Sequence, residues 1–198
     1  MSRRVAGCLL TALTAATVAG CSSDGPNSAI TALPLCQSGP DQEAGNAVVL
    51  MAQAVPSATW VPCIRAALPL GWSFHHLEAS NGLARFWLDS DRDGIRAVEV
   101  RLSESCDTAG TTEIPSDRAG MRRLERVGRM SPTYAGTRYY LFDGGCLTVV
   151  FRLDSDSPGE ALALASQAVG VVARSDLQQQ VREESGGRLE LDPEEGSP

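Results

Sequence analysis

Arg138-Tyr139-Tyr140-Leu141-Phe142-Asp143-Gly144-Gly145-Cys146-Leu147-Thr148-Val149-Val150-Phe151-Arg152-Leu153 decides the fold. Two runs rich in aromatic and β-branched residues flank Asp143-Gly144-Gly145, a turn made of residues that tolerate unusual backbone angles. In the second arm Leu147, Val149, Phe151 and Leu153 fall on one face, the period of two that marks a half-buried strand. A hairpin of this kind needs a sheet around it and a layer over its apolar face.

Upstream lies a second hairpin. Trp72 to Ala79 and Leu83 to Asp89 flank Ser80-Asn81-Gly82, and Asn-Gly suits the positive φ angles of a type I′ turn. Ala84, Phe86 and Leu88 alternate onto one face. A third strand over about 96–103 alternates Val98, Val100 and Leu102. Residues 104–120 read as loop, followed by a short strand over 121–127. On the N-terminal side, Asp41 can cap a helix over roughly 41–54 with Ala44, Val48, Met51 and Ala52 at helical spacing, ended by Pro56. Residues 57–70, with Trp60, Pro62 and Cys63, read as a turn-rich link.

Downstream, Ser157-Pro158-Gly159-Glu160 predicts a capped helix whose stripe is Leu162, Ala165, Val169 and Val172. Ser175-Asp176-Leu177-Gln178 predicts a second helix to about Glu184. The order gives an α+β fold: an antiparallel sheet of five to six strands, an N-terminal helix and C-terminal helices, stapled by disulfides. The expected organisation is a signal peptide over 1–20, a flexible tether over 21–35, a single domain over 36–191 and an acidic tail over 192–198.

The chain starts with Met1-Ser2-Arg3-Arg4, then an apolar run from Val5 to Ala19, the pattern of an export signal. The run is shorter than the roughly 20 residues a membrane-spanning helix needs. Val18-Ala19-Gly20-Cys21 resembles the lipobox of bacterial lipoproteins, and the rest of the chain resembles uncharacterised actinobacterial lipoproteins. The lipobox resemblance implies that Cys21 receives diacylglycerol and becomes the first mature residue, on the outer face of the cell membrane. The wider resemblance implies no activity and no functional residues.

Composition fits an exported protein. All 17 basic residues are arginine, and loss of residues 1–20 takes the charge from −7 to −9. So acidic a chain is not expected to bind nucleic acid through its general field. Of six cysteines, Cys8 leaves with the signal and Cys21 takes lipid. Cys36, Cys63, Cys106 and Cys146 remain, an even number that outside the cytoplasm reads as two disulfides. Three pairings are possible; Cys36–Cys63 and Cys106–Cys146 are favoured, the first bracketing the N-terminal helix and the second tying a strand end to the last hairpin.

Four candidate sites stand out. Asp89, Asp91 and Asp93 alternate before Gly94 as in a calcium loop, but its ninth and twelfth positions, Ala97 and Val100, offer no side-chain oxygen; a polar hairpin turn explains them as well. His75 and His76, on a regular strand, point to opposite faces and form no couple, and one would stack in the core beside Trp72 or Phe74. Arg118, Arg122, Arg123, Arg126 and Arg129 could face anionic headgroups or form a solvated strand edge guarded by charge. Trp60, Trp72, Trp87, Tyr139 and Tyr140 line a cleft or fill the core. No nucleophile elbow, zinc helix or phosphate loop is present, and no cofactor is expected. The resulting expectation is a lipid-anchored binding or interaction module rather than an enzyme, with an envelope protein or small molecule as partner. The alternative is an envelope hydrolase whose acids and histidines are assembled by the fold.

Overall fold

The computed structural model describes residues 28–36, 44–65 and 67–192. The expected signal peptide, Cys21 with the first part of the expected tether, Asp41 and residues 193–198 lie outside these. The strands are β1 (Ser28–Ile30), β2 (Trp60–Ile64), β3 (Trp72–Ser80), β4 (Leu83–Ser90), β5 (Gly94–Ser103), β6 (Thr112–Ile114), β7 (Arg122–Arg129), β8 (Tyr134–Phe142), β9 (Gly145–Leu153) and β10 (Val169–Ala173). The helices are α1 (Asn46–Ala54), α2 (Pro158–Ala168) and α3 (Arg174–Glu184). Eight strands form one sheet in the order β1-β3-β4-β5-β9-β8-β7-β6, and β10 pairs with β2 in a second. Every neighbouring pair in both sheets is antiparallel.

The large sheet has one covered face. Ala84, Phe86 and Leu88 of β4, Val98, Val100 and Leu102 of β5, and Leu147, Val149, Phe151 and Leu153 of β9 are all buried there. The register places Phe86 opposite Val100 and Val100 opposite Val149, so the three apolar rows merge. α1, α2 and the small sheet pack over them, with Met51, Ala52, Ile64, Ala165 and Val169 in the same core. Each fully buried Leu or Phe contributes about 1.5–3 kcal/mol, so this layer is the main source of stability.

The strand count exceeds the expected five to six. Three segments read as irregular are strands. Residues 57–70 contain β2, whose Pro62 lacks an N–H but is tolerated in a two-stranded sheet. Residues 104–120 contain β6. The expected tether holds β1 and a bridge from Leu35 to Ile64. Val169 and Val172 belong to β10 instead of a helical stripe; a short β-branched run is ambiguous in period and here goes to the sheet. Gly170 lies opposite Cys63 in this strand, and a Cβ on it would come within 2.6 Å of the Cys36 sulfur.

Other local expectations are corrected too. The Ser157 side chain makes no cap bond; its carbonyl accepts from Glu160 and Ala161 N–H instead. Only Gly82 of the Asn81-Gly82 pair takes a positive φ, so that turn is not type I′. Gly145 is the first residue of β9, which leaves Asp143-Gly144 as a two-residue turn.

The disulfides are Cys36–Cys63 and Cys106–Cys146, the favoured pairing, with Cα separations of 4.9 and 5.9 Å. Arg174, at the start of α3, is buried and donates to the carbonyls of Ala52 and Asp192, each at 2.6 Å. Its charge thus sits against the last turn of α1, where the helix dipole favours a cation. Among the described residues no helix is long and apolar enough to cross a membrane.

Candidate functional site

The open face of the large sheet carries the polar side chains. Its left half is shaped by a bulge. The β3–β4 register slips between Phe74 and Leu77, so His75 and His76 both stand opposite Trp87. The two imidazoles therefore share a side of the sheet, centroids 4.7 Å apart, instead of pointing to opposite faces.

Each histidine meets its own carboxylate. His75 Nδ1 lies 2.9 Å from Asp89 Oδ2, and His76 Nε2 lies 3.0 Å from Glu78 Oε1. Arg85 donates twice to the other Glu78 oxygen, at 3.0 and 2.8 Å. The His76 hydrogen bond holds the Glu78 carboxyl below the usual carboxylate range; partial burial opposes it and Arg85 adds to it. His76 stacks on Trp87, while Arg85 and Arg96 lie 5.0 Å from its ring centroid. Trp87 is thereby only 5% exposed although it stands on the uncovered face. Neither histidine packs beside Trp72 or Phe74 in a ring contact. Among the described residues, neither histidine hydrogen-bonds a hydroxyl or thiol.

The aspartates at the β4–β5 turn diverge. Asp89 accepts from His75 and from the Arg96 N–H at 2.7 Å. Asp93 is buried and accepts from the Ser90 hydroxyl at 2.8 Å and the Ser155 N–H at 3.0 Å. Asp91 lines a cleft of about 490 Å³ with Trp72, Arg92 and Glu160. Among the described residues no group of three or more metal-ligating side chains is arranged to hold an ion.

The arginine stretch is not one free patch; β6 pairs with β7 only at Arg123–Glu125, so among the described residues the part of β7 carrying Arg126 and Arg129 is an exposed edge with a strand on one side. Arg118 is buried, stacked 4.8 Å from the Tyr140 centroid and bonded to the Val169 carbonyl at 2.8 Å. Arg122 pairs with Glu113, and Arg123 with Glu125 and Asp117. Arg129 donates to Thr133 at 3.2 Å. The aromatics scatter as well: Tyr140 is core, Trp60 and Trp72 pack at its margin, and Tyr139 joins Leu124 and the Cys106–Cys146 bridge on the open face.

No family model, curated protein or solved structure matches this chain. Its sites therefore rest on geometry alone.

That geometry holds a feature the sequence reading missed. On the right half of the open face, two cross-strand rows run side by side: Arg101-Thr148-Tyr139 and Val150-Thr137-Arg126. With Ser103, Ser105, Cys106 and Asp107 they line a cleft of about 290 Å³. The sequence places Arg126 only within a charge run and Arg101 only on the polar side of a strand, neither as a site residue. The sequence signal was available: alternation puts both arginines on the polar side of their strands, but the strand order that brings them together is not local information.

Proposed function

We propose that this chain is a lipid-anchored binding module of the cell envelope, held by Cys21 and offering a protein partner the end of its sheet farthest from the anchor. Three things support the anchoring and the compartment: the lipobox Val18-Ala19-Gly20-Cys21, the export signal before it, and two disulfides, which persist in oxidising compartments.

The observation that carries the binding reading is where apolar side chains are left uncovered. Among the described residues, five large hydrophobics are exposed: Leu70, Ile95, Val127, Met130 and Leu189. The first four belong to one end of the large sheet, at the start of β3, the start of β5 and the end of β7. Arg92, Arg96 and Arg129 stand beside them. Scattered exposed apolar residues are ordinary, but four of the five lie along one end of the sheet with arginines near them in sequence, which favours an interaction surface there.

The chain path supplies the orientation. Ser28 pairs with Ala79, at the opposite end of β3. Six residues lie between Cys21 and Ser28, so seven steps along the chain give a reach of at most about 25 Å. A lipid on Cys21 keeps the Ser28 end near the bilayer and turns Ile95 and Met130 outward.

The test is metabolic fatty-acid labelling with site-specific photo-crosslinking in cells. Cys21→Ala should lose the label and leave the membrane; unchanged labelling or retention refutes the anchor. Crosslinkers at Ile95 and Met130 should trap one protein species that a crosslinker at Glu104, at the other end, does not. Identical patterns from the three positions refute the docking end.

The hydrolase alternative has one observation in its favour, the paired His75–Asp89 and His76–Glu78 contacts. It requires an activity that His75→Ala or His76→Ala removes.

A further inference from the structure

We infer that the cleft between Arg101 and Arg126 is a binding site for a small oxyanion, a carboxylate- or phosphate-bearing molecule. This goes beyond the docking end proposed above and does not depend on it.

The cleft is built like an anion site. Its floor is Thr148, Tyr139, Thr137 and Val150, from the two strands β9 and β8. Arg101 rises on one bank from β5, and Arg126 on the other from β7. The Cys106–Cys146 bridge fixes the segment after β5 as a wall, so the cleft keeps its shape without ligand. Its volume lies at the low end of ligand pockets, too small for a folded partner and suited to a small molecule.

The donors are pre-placed and under-used. Arg126 gives Nη1 to the Ala109 carbonyl at 3.1 Å and Nη2 to the Tyr139 hydroxyl. Both acceptors are neutral, and among the described residues no carboxylate pairs with this guanidinium. Because Tyr139 Oη accepts from Arg126, its own proton is left to donate into the cleft. Arg101 gives Nη2 to Glu99 at 2.5 Å, but its Nε is buried with no partner. Its guanidinium still brings positive charge to the cleft, which it lines. Thr148 is already engaged: Cys106 has no S–H in the disulfide, so the threonine hydroxyl donates to its sulfur at 3.0 Å. The Asp107 carboxylate, also in the lining, accepts the Ala109 N–H at 3.0 Å. The donors left over are the Arg126 N–H groups not used on Ala109 and Tyr139, the Tyr139 hydroxyl and the Thr137 hydroxyl. All are donors suited to an oxyanion, in a chain whose overall charge is −7.

The test is titration calorimetry on the full chain in detergent micelles, at constant ionic strength, with inorganic phosphate in one arm and citrate in the other. Saturable binding of either probe at millimolar or lower concentration is expected, and the preferred arm identifies the ligand type. Arg126→Gln and Tyr139→Phe should each weaken it, by about tenfold for the lost charge-assisted bond in the arginine variant. Arg182→Gln, on α3, should bind as wild type. Tyr139→Phe removes only a hydroxyl and keeps the site testable if Arg126→Gln fails to fold. No saturable binding in either arm overturns the inference, as does wild-type affinity in Tyr139→Phe. Neither result bears on Cys21 labelling or on crosslinks from Ile95, so the two proposals fail separately.

Discussion

The imidazole of His76 lies on the indole of Trp87, ring centroids 4.6 Å apart and planes inclined by 29°. Glu78 anchors the far edge of that imidazole and, with Arg85, fixes the stack. The Glu78 carboxyl is held below its ordinary value of 4.5, first by the His76 hydrogen bond. A carboxyl depressed in the folded state adds stability above its unfolded pKa and loses it as pH falls through the folded one. The window therefore begins near the ordinary glutamate value and extends downward. Glu78→Gln should be less stable than wild type at neutral pH and lose less stability on acidification. Urea unfolding at a series of pH values checks this; parallel pH curves for the two proteins would contradict it.

On the covered side of β7, Glu125 receives Arg138 Nε at 2.5 Å and also the Arg123 guanidinium. Burial pushes the Glu125 carboxyl up, but the two guanidiniums outweigh it and hold it below the usual range. Arg138 is only 8% exposed; it also donates to Ser166 of α2 at 2.9 Å and lies over the Phe151 ring. Glu125→Ala leaves that cation buried without its anion, at a cost of about 3–5 kcal/mol. The double variant Glu125→Leu with Arg138→Met should recover most of the loss. Denaturant unfolding of the single and double variants decides the matter: a double variant as unstable as the single one would mean that packing, not the uncompensated charge, sets the cost.

How much of this was legible in sequence follows the range of the forces involved. The hairpins around Gly82 and Gly144 and the faces of β4, β5 and β9 were readable because a period of two is local. The disulfide pairing was readable because separation along the chain and predicted elements limited it. β2 and β10 were not readable. Each is a five-residue strand that exists only through the other, and Pro62 and Gly170 are poor strand residues outside that pairing. The histidine couple was misread for a similar reason. A regular strand separates His75 from His76, and only the bulge against Trp87 unites them. The cleft between Arg101 and Arg126 needs the order β5-β9-β8-β7, which brings together residues far apart in the chain.

The Asp143-Gly144 turn meets the segment before β2. Gly144 has φ +69°, and a Cβ there would fall 1.8 Å from the Ser57 carbonyl oxygen, which is backbone and cannot swing away. Gly110 has φ +70° with nothing within 4 Å of a Cβ. Gly110→Ala thus reads backbone strain alone, on the order of 1 kcal/mol. Gly144→Ala adds a steric clash with fixed atoms and should cost several times more. Thermal unfolding of the two variants compares them directly. Equal losses would show that the turn has room to move away from Ser57.

Asp93 is where the calcium-loop reading meets its structural competitor. Its two oxygens accept from Ser90 Oγ and from the Ser155 N–H, joining the β4–β5 turn to the segment that leads into α2. Asp89 likewise spends both oxygens, on His75 and on the Arg96 N–H. A cation at this turn would have to strip these bonds from both carboxylates and recruit Asp91 from a cleft where Glu160 is already paired with Arg92. The turn is therefore expected to be held by protein donors, and melting temperature should be the same with calcium and with chelator. Asp93→Ala should instead destabilise the chain by about 1–3 kcal/mol, because it leaves the buried Ser90 hydroxyl and the half-buried Ser155 N–H without an acceptor. Asp91→Asn, at an exposed position, should be nearly neutral. A calcium-dependent rise in melting temperature that Asp91→Asn abolishes would reverse the assignment and restore the three aspartates as a cation site.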